Sequence, residues 1–192
     1  MPDFIKVEYG ATGASKAIDT MGMREMQSTA FDARNAQYLL IKSPPASGKS
    51  RALMFIGLDK LHNQGLRKVI VAVPEKSIGN SFRSTRLTEH GFFADWTVQP
   101  HNNLCDMLGG EGGKINAFIR FMESDDEIIV CTHSTLRHAF DRIVNEGSGI
   151  DAFKDCVLAV DEFHHVSADA DNKLGELERF PQPLNREGFQ RV

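Results

Sequence analysis

The chain has 192 residues, 41% of them hydrophobic and 25% charged, with a formal net charge of −4. This composition excludes disordered and fibrous classes and describes a globular chain with enough residues for one substantial core, so one domain is the leading count. The acidic balance also excludes binding of nucleic acid by bulk positive charge, and any such contact has to be local.

Residues 1–22 carry several glycines and little periodicity and read as an N-terminal extension. Asp3, Lys6 and Glu8 interrupt what would be a signal-peptide core, and no apolar run approaches the roughly 20 residues that cross a bilayer. The expectation is a cytoplasmic protein with no membrane partner. A strand-like stretch at 4–9 leads into Gly10-Ala11-Thr12-Gly13-Ala14-Ser15-Lys16, which lacks Gly-Lys and has Ala17 where a metal-binding hydroxyl would be needed; it reads as a turn.

Helical periodicity predicts helices over 23–35, 49–63, 77–88, 114–122 and 134–145. Short runs rich in Val, Ile and Leu predict strands over 38–41, 69–73, 128–131 and 157–160, with a lesser one at 96–98. From residue 38 onward the two kinds alternate, and the runs are continuously apolar rather than alternating, as in strands covered on both faces. The fold class is therefore α/β: a mostly parallel sheet with helices on both faces, in one domain. Gly109-Gly110-Glu111-Gly112-Gly113 reads as a flexible connection, and residues 181–192, with Pro181, Pro183 and Gly188, as a tail. Cys105, Cys131 and Cys156 show no paired or zinc-like spacing and read as reduced thiols.

Directly after the 38–41 run comes Ser43-Pro44-Pro45-Ala46-Ser47-Gly48-Lys49-Ser50 and then a helix. Strand, tight loop and helix are the order in which backbone N–H groups and a helix N-terminus converge on a polyphosphate. Pro45, Ala46, Ser47 and Gly48 form the cradle, with Gly48 allowing close backbone approach. Lys49 is a point charge for the β and γ phosphates, and the Ser50 hydroxyl suits Mg²⁺. The general pattern opens on Gly, whereas this loop opens on Ser43 and has Ala46 where a second Gly is frequent.

The run at 157–160 ends in Asp161-Glu162-Phe163-His164-His165. Ligands sit at the carboxyl ends of strands in such sheets. There, one acid can hold the shell of a magnesium ion and the next can polarise a water for in-line attack on a γ-phosphate. Asp161 is assigned the metal and Glu162 the role of general base, with Lys49 the third catalytic residue. Adjacent histidines rarely point the same way, and no third ligand stands at a zinc-like distance in sequence, so His164 and His165 do not read as a metal site.

Gly-Lys-Ser preceded by Pro, together with Asp-Glu-Phe-His, resembles the superfamily 2 helicases, and the resemblance covers roughly residues 23–175. It implies a RecA-like ATP-binding domain over 23–180, with ATP and Mg²⁺ as cofactors and DNA or RNA, DNA favoured, as partner. Met23-Arg24-Glu25-Met26-Gln27 resembles the family's adenine-contacting Arg-x-x-Gln element, which implies roles for Arg24 and Gln27. Pro74-Glu75-Lys76 after the 69–73 strand resembles a turn that touches a nucleic-acid phosphate, implicating Pro74 and Lys76. Cys131-Thr132-His133-Ser134-Thr135-Leu136 resembles a helix start that grips the strand backbone, implicating Thr132 and Ser134. In the family the box histidine links nucleotide site to nucleic-acid groove, a coupling role carried to His164. The stretch Asp171-Asn172-Lys173-Leu174-Gly175 is similar to restriction-enzyme motor subunits of the type III kind.

The family's Ser-Ala-Thr strand and its second RecA-like domain do not occur before Val192. The expectation is that residues 181–192 lead to further parts of a longer protein and that the isolated domain hydrolyses ATP weakly. Two other readings stay open. A P-loop kinase or signalling NTPase would turn over without regard to nucleic acid; a non-catalytic nucleotide-binding assembly module would work unchanged without Glu162.

Overall fold

The computed structural model describes residues 4–8 and 18–162. The decoy turn around Gly10, His164, His165, the 171–175 stretch and the 181–192 tail lie outside the described residues. The chain divides into two compact units, one from Met1–Gln64 with Asn80–Val98, the other from Gly65–Gly79 with Gln99–Val192.

In the first unit, β1 (Phe4–Glu8) lies parallel to β2 (Tyr38–Lys42), with Phe4 opposite Tyr38 and Glu8 opposite Lys42. Helix α1 (Glu25–Asp32) precedes β2, and α2 (Lys49–Gln64) follows it. Met26, Ala30 and Phe31 are buried on α1, and Ala52, Phe55 and Leu58 on α2, at the three- and four-residue spacing that makes one helix face apolar. Phe92 sits 4.7 Å from the Phe55 ring and 5.9 Å from Phe31. Asp59 is buried on α2, and its carboxylate accepts from Asn63 and Gln64 at 2.8 Å each and pairs with Arg34 at 3.1 Å. Buried charge is tolerated only with partners of this kind.

The helix expected over 77–88 does not form as such. After a single turn, α3 (Lys76–Gly79), come 3-10 turns at Asn80–Phe82 and Thr88–His90. Backbone groups that a helix would use internally go elsewhere: Thr85 and Trp96 exchange N–H···O bonds of 2.8 and 3.0 Å, and the Trp96 indole donates to the Phe82 carbonyl at 2.9 Å. The 96–98 run contributes only that bridge rather than a strand.

In the second unit β3 (Lys68–Val73) is the central strand, paired in parallel with β4 (Ile128–Thr132) on one side and β5 (Cys156–Val160) on the other. Every residue of β3 and β4 is buried, as continuous apolar runs require, while β5 at the edge is mostly half-buried. Helices α4 (Glu111–Glu123) and α5 (His133–Glu146) bring Phe118, Phe121, Leu136, Phe140 and Ile143 onto Ile70, Ala72, Ile129 and Cys131, residues two apart on each strand and so on one face. The glycine-rich run at 109–113 is not a loose connection throughout, because Glu111, Gly112 and Gly113 are the first turn of α4. The α/β class with parallel strands and helices is thus as expected. Among the described residues, no helix is long and apolar enough to cross a membrane.

Gly91 has φ of 97°, and a Cβ built there would lie 2.2 Å from the Thr20 carbonyl oxygen. Gly91→Ala combines a left-handed backbone penalty with a backbone clash, so it is expected to lower stability by about 2 kcal/mol or more in a urea-denaturation titration.

Candidate functional site

The loop from Ser43 to Gly48 joins β2 to α2 through two left-handed residues, Ala46 at φ 60° and Gly48 at φ 93°. Gly adopts this conformation freely, whereas an L side chain pays roughly 1–2 kcal/mol. Position 46 is the one where Gly was the alternative expected from sequence, so Ala46 holds the loop shape under strain. Ser43 Oγ and Ser47 Oγ are 2.7 Å apart across the loop, and Ser47 N–H donates to the Pro44 carbonyl at 3.4 Å. The Lys49 ammonium curls back to donate to the Ser43 carbonyl at 3.3 Å, which holds its charge over the loop. Pro45 and Ala46 are exposed, and Ser50 is half-buried in the first turn of α2.

Gln27 is buried and already engaged at both ends of its amide. Its Oε1 accepts from the Arg24 N–H at 2.9 Å, closing the start of α1, and its Nε2 donates to the Gly48 carbonyl at 3.1 Å. A Cβ on residue 48 would come within 2.4 Å of that Nε2. Gln27 therefore ties α1 to the phosphate loop, a role the sequence did not suggest. The Arg24 side chain is exposed at the N-cap of α1.

In the second unit, register decides which residues meet. Val73 of β3 is opposite Thr132 of β4, and Ala72 is opposite Val160 of β5. The chain therefore leaves all three strands at one end, where Pro74 and Lys76, Thr132 and Ser134, and Asp161 and Glu162 follow. The Asp161 N–H donates to the Ala72 carbonyl at 2.9 Å, which extends the pairing one residue past β5. Asp161 is buried, with Oδ1 accepting from the Glu162 N–H at 3.1 Å, and its carbonyl accepts from His133 Nε2 at 3.1 Å. Glu162 is half-buried with φ of 52°, a left-handed non-glycine residue at the position assigned to the general base. Backbone strain of this kind persists only where surrounding bonds over-determine it.

Thr132 is the N-cap of α5. Its hydroxyl accepts from the Thr135 N–H at 3.2 Å and stands 3.0 Å from the Thr135 hydroxyl, which itself donates to Glu111 Oε1 at 2.6 Å. Thr132 is buried, so its hydroxyl builds the helix start, and Ser134 is the exposed hydroxyl of that turn. Pro74 is half-buried and Lys76 exposed at the start of α3. Sequence reading missed Lys114, buried on α4 and donating to the Leu104 carbonyl at 2.6 Å. Burial first, and the Lys76 ammonium next, push its pKa below the ordinary lysine range. It missed His133 too, since a histidine between Thr and Ser carries no signal until the fold brings β4 beside β3.

A magnesium ion that arrives with phosphates keeps several waters and needs only one or two oxygen ligands from protein, a chemistry that suits the Ser50 hydroxyl in the first unit and, taken separately, the Asp161 carboxylate in the second. Among the described residues no group of three or more His, Cys, Asp or Glu could hold a metal by itself.

Residues 16–185 match the family described as type III restriction enzyme, res subunit. The chain is 61% identical over 179 residues to a protein of Bacillus subtilis (strain 168) named "Putative ATP-dependent helicase YeeB"; the match covers 93% of this chain and 29% of that relative. The chain thus spans under a third of the relative's length. No solved structure matches it significantly.

Relief of the Ala46 strain is measurable. Ala46→Gly is expected to leave stability unchanged or raise it by up to about 1 kcal/mol in thermal unfolding, because the lost Cβ clash offsets the greater freedom of the unfolded chain. Gln27→Leu removes both amide bonds and is expected to cost about 1–3 kcal/mol in the same measurement.

Proposed function

Since the chain belongs to the type III restriction enzyme res subunit family, a superfamily 2 helicase-like P-loop family, we propose that it is the ATP-binding first motor domain of a nucleic-acid-dependent helicase or translocase. The observation that carries this reading is the loop between β2 and α2, whose lysine lies over a left-handed backbone turn and whose next residue is a serine at a helix start. Residues 23–180 form the motor domain in this reading, with 1–22 an extension before it and 181–192 leading to a second RecA-like domain. The length of the B. subtilis relative supports further domains.

Each assigned residue has a task its chemistry suits. The backbone N–H groups of Ala46, Ser47 and Gly48 with Lys49 receive the phosphates, Pro45, which has no N–H, shapes the cradle, and Arg24 with α1 flanks the base. Ser50 and Asp161 would hold Mg²⁺, which when bound neutralises charge developing on the transferred phosphoryl group. Glu162 accepts the proton of the attacking water. Pro74, Lys76, Thr132 and Ser134 line the nucleic-acid contact, with the first turn of α5 offering backbone donors to a phosphate and Thr132 fixing that turn. DNA is favoured over RNA by kinship to restriction enzymes. Coupling through His164 completes the reading. The protein works in the cytoplasm.

ATP hydrolysis by the native protein, measured with and without duplex DNA, single-stranded DNA and RNA, tests it. Stimulation by one of these is expected. Lys49→Ala should weaken ATP binding, and Glu162→Gln should leave binding near normal while lowering turnover by about 10²-fold or more, the scale of a general base. Turnover indifferent to every nucleic acid would favour a kinase or signalling NTPase instead. Full cellular function with Glu162→Gln would favour an assembly module.

A further inference from the structure

Among the described residues, at least three hydrogen bonds meet at the acidic turn. The Asp161 N–H is held by the Ala72 carbonyl of β3, the Asp161 carboxylate takes the Glu162 N–H, and the Asp161 carbonyl takes the His133 ring. A carbonyl oxygen can only accept, so His133 Nε2 carries the proton and donates. The first two bonds arise within the sheet and within the turn itself. The third comes from α5, whose first residue is His133 and whose N-cap is Thr132.

That origin gives the bond its interest. The turn it reaches contains Glu162, held at φ 52° against the preference of an L residue. A left-handed conformation at a non-glycine residue depends on what surrounds it, so removing one of the bonds should shift how the carboxylate is presented. The helix start the bond comes from is the segment assigned to nucleic-acid contact, with exposed Ser134 next in sequence. A phosphate drawn to that turn therefore acts on a backbone whose own side chain grips the acidic turn.

We propose that His133 is a positioning residue that couples nucleic-acid binding at the start of α5 to the placement of Asp161 and Glu162, through its hydrogen bond to the Asp161 carbonyl. The inference rests on the motor reading above and assigns it a link additional to His164. His133 does not touch substrate; it acts through the turn. Coupling of this kind typically amounts to about 5- to 150-fold between two sites.

The test uses the native protein and three variants. His133→Leu keeps bulk and loses the donor, His133→Gln keeps an amide N–H near the reach of Nε2, and His133→Asn carries one a bond too short. For each, kcat and KM for ATP are measured with and without the stimulating nucleic acid, and the Kd for that nucleic acid by fluorescence anisotropy. The expected result is that Leu and Asn lower the stimulation of kcat by about tenfold, while KM and Kd move by less than about threefold and Gln restores most of the stimulation. Stimulation retained in both Leu and Asn overturns the proposal. So does loss of stimulation accompanied by an equal loss of nucleic-acid affinity and of thermal stability with no rescue by Gln, because that is a merely structural role. Should the Leu variant fail to fold, the contrast between Gln and Asn decides alone. A native enzyme that no nucleic acid stimulates defeats the motor reading itself, and this inference with it.

Discussion

Parallel, in-register pairing of β3 with both β4 and β5 is the constraint on which the second unit depends. Hydrogen bonds at Val73 opposite Thr132 and Ala72 opposite Val160 leave no freedom in where each chain exits. A slip of one residue would turn Ile70, Ala72, Ile129 and Cys131 away from the aromatic residues of α4 and α5 and bury the wrong side chains. Burial therefore fixes the register, and the register in turn delivers three short polar segments, far apart in sequence, to one end of the sheet.

What happens at that end follows from hydrogen bonding rather than from hydrophobicity. Buried Asp161 is acceptable because its backbone and carboxylate are bonded, and those same bonds hold Glu162 in a left-handed turn. Thr132 shows the same economy: a buried hydroxyl is satisfied by capping α5, and Thr135 passes the network on to Glu111. A residue assigned from sequence to ligand contact thus serves first as a scaffold for the contact.

In the first unit the corresponding device is the phosphate loop. Two left-handed residues turn the backbone between β2 and α2, and Gln27 of α1 pins the turn at the Gly48 carbonyl. Ala46 in a conformation suited to glycine is a local conflict of the kind that natural sequences keep at working sites. The family match over residues 16–185 makes such a loop expected, and in this chain Ala46 holds it at φ 60°.

Much of this was legible in order along the chain. The apolar runs at 38–41, 69–73, 128–131 and 157–160 became β2 to β5 with ends shifted by no more than a residue or so, because continuous burial needs continuous apolar side chains. The loop around Gly48-Lys49-Ser50 declared itself through backbone chemistry that only certain residues permit. Helix 77–88 misled because its periodic side chains are buried by other means: Phe82 and Leu87 pack in a stretch whose backbone is claimed by Thr85, Trp96 and Val98.

Sequence by itself determined the α/β class and the family and marked the loop between β2 and α2, since each rests on side-chain type and short spacing. Tertiary structure alone decided that Gln27 serves the loop and that His133 reaches Asp161, 28 residues away. These are hydrogen bonds between segments remote in the chain. No periodicity or motif encodes them, because their geometry exists only once the strands are paired in register.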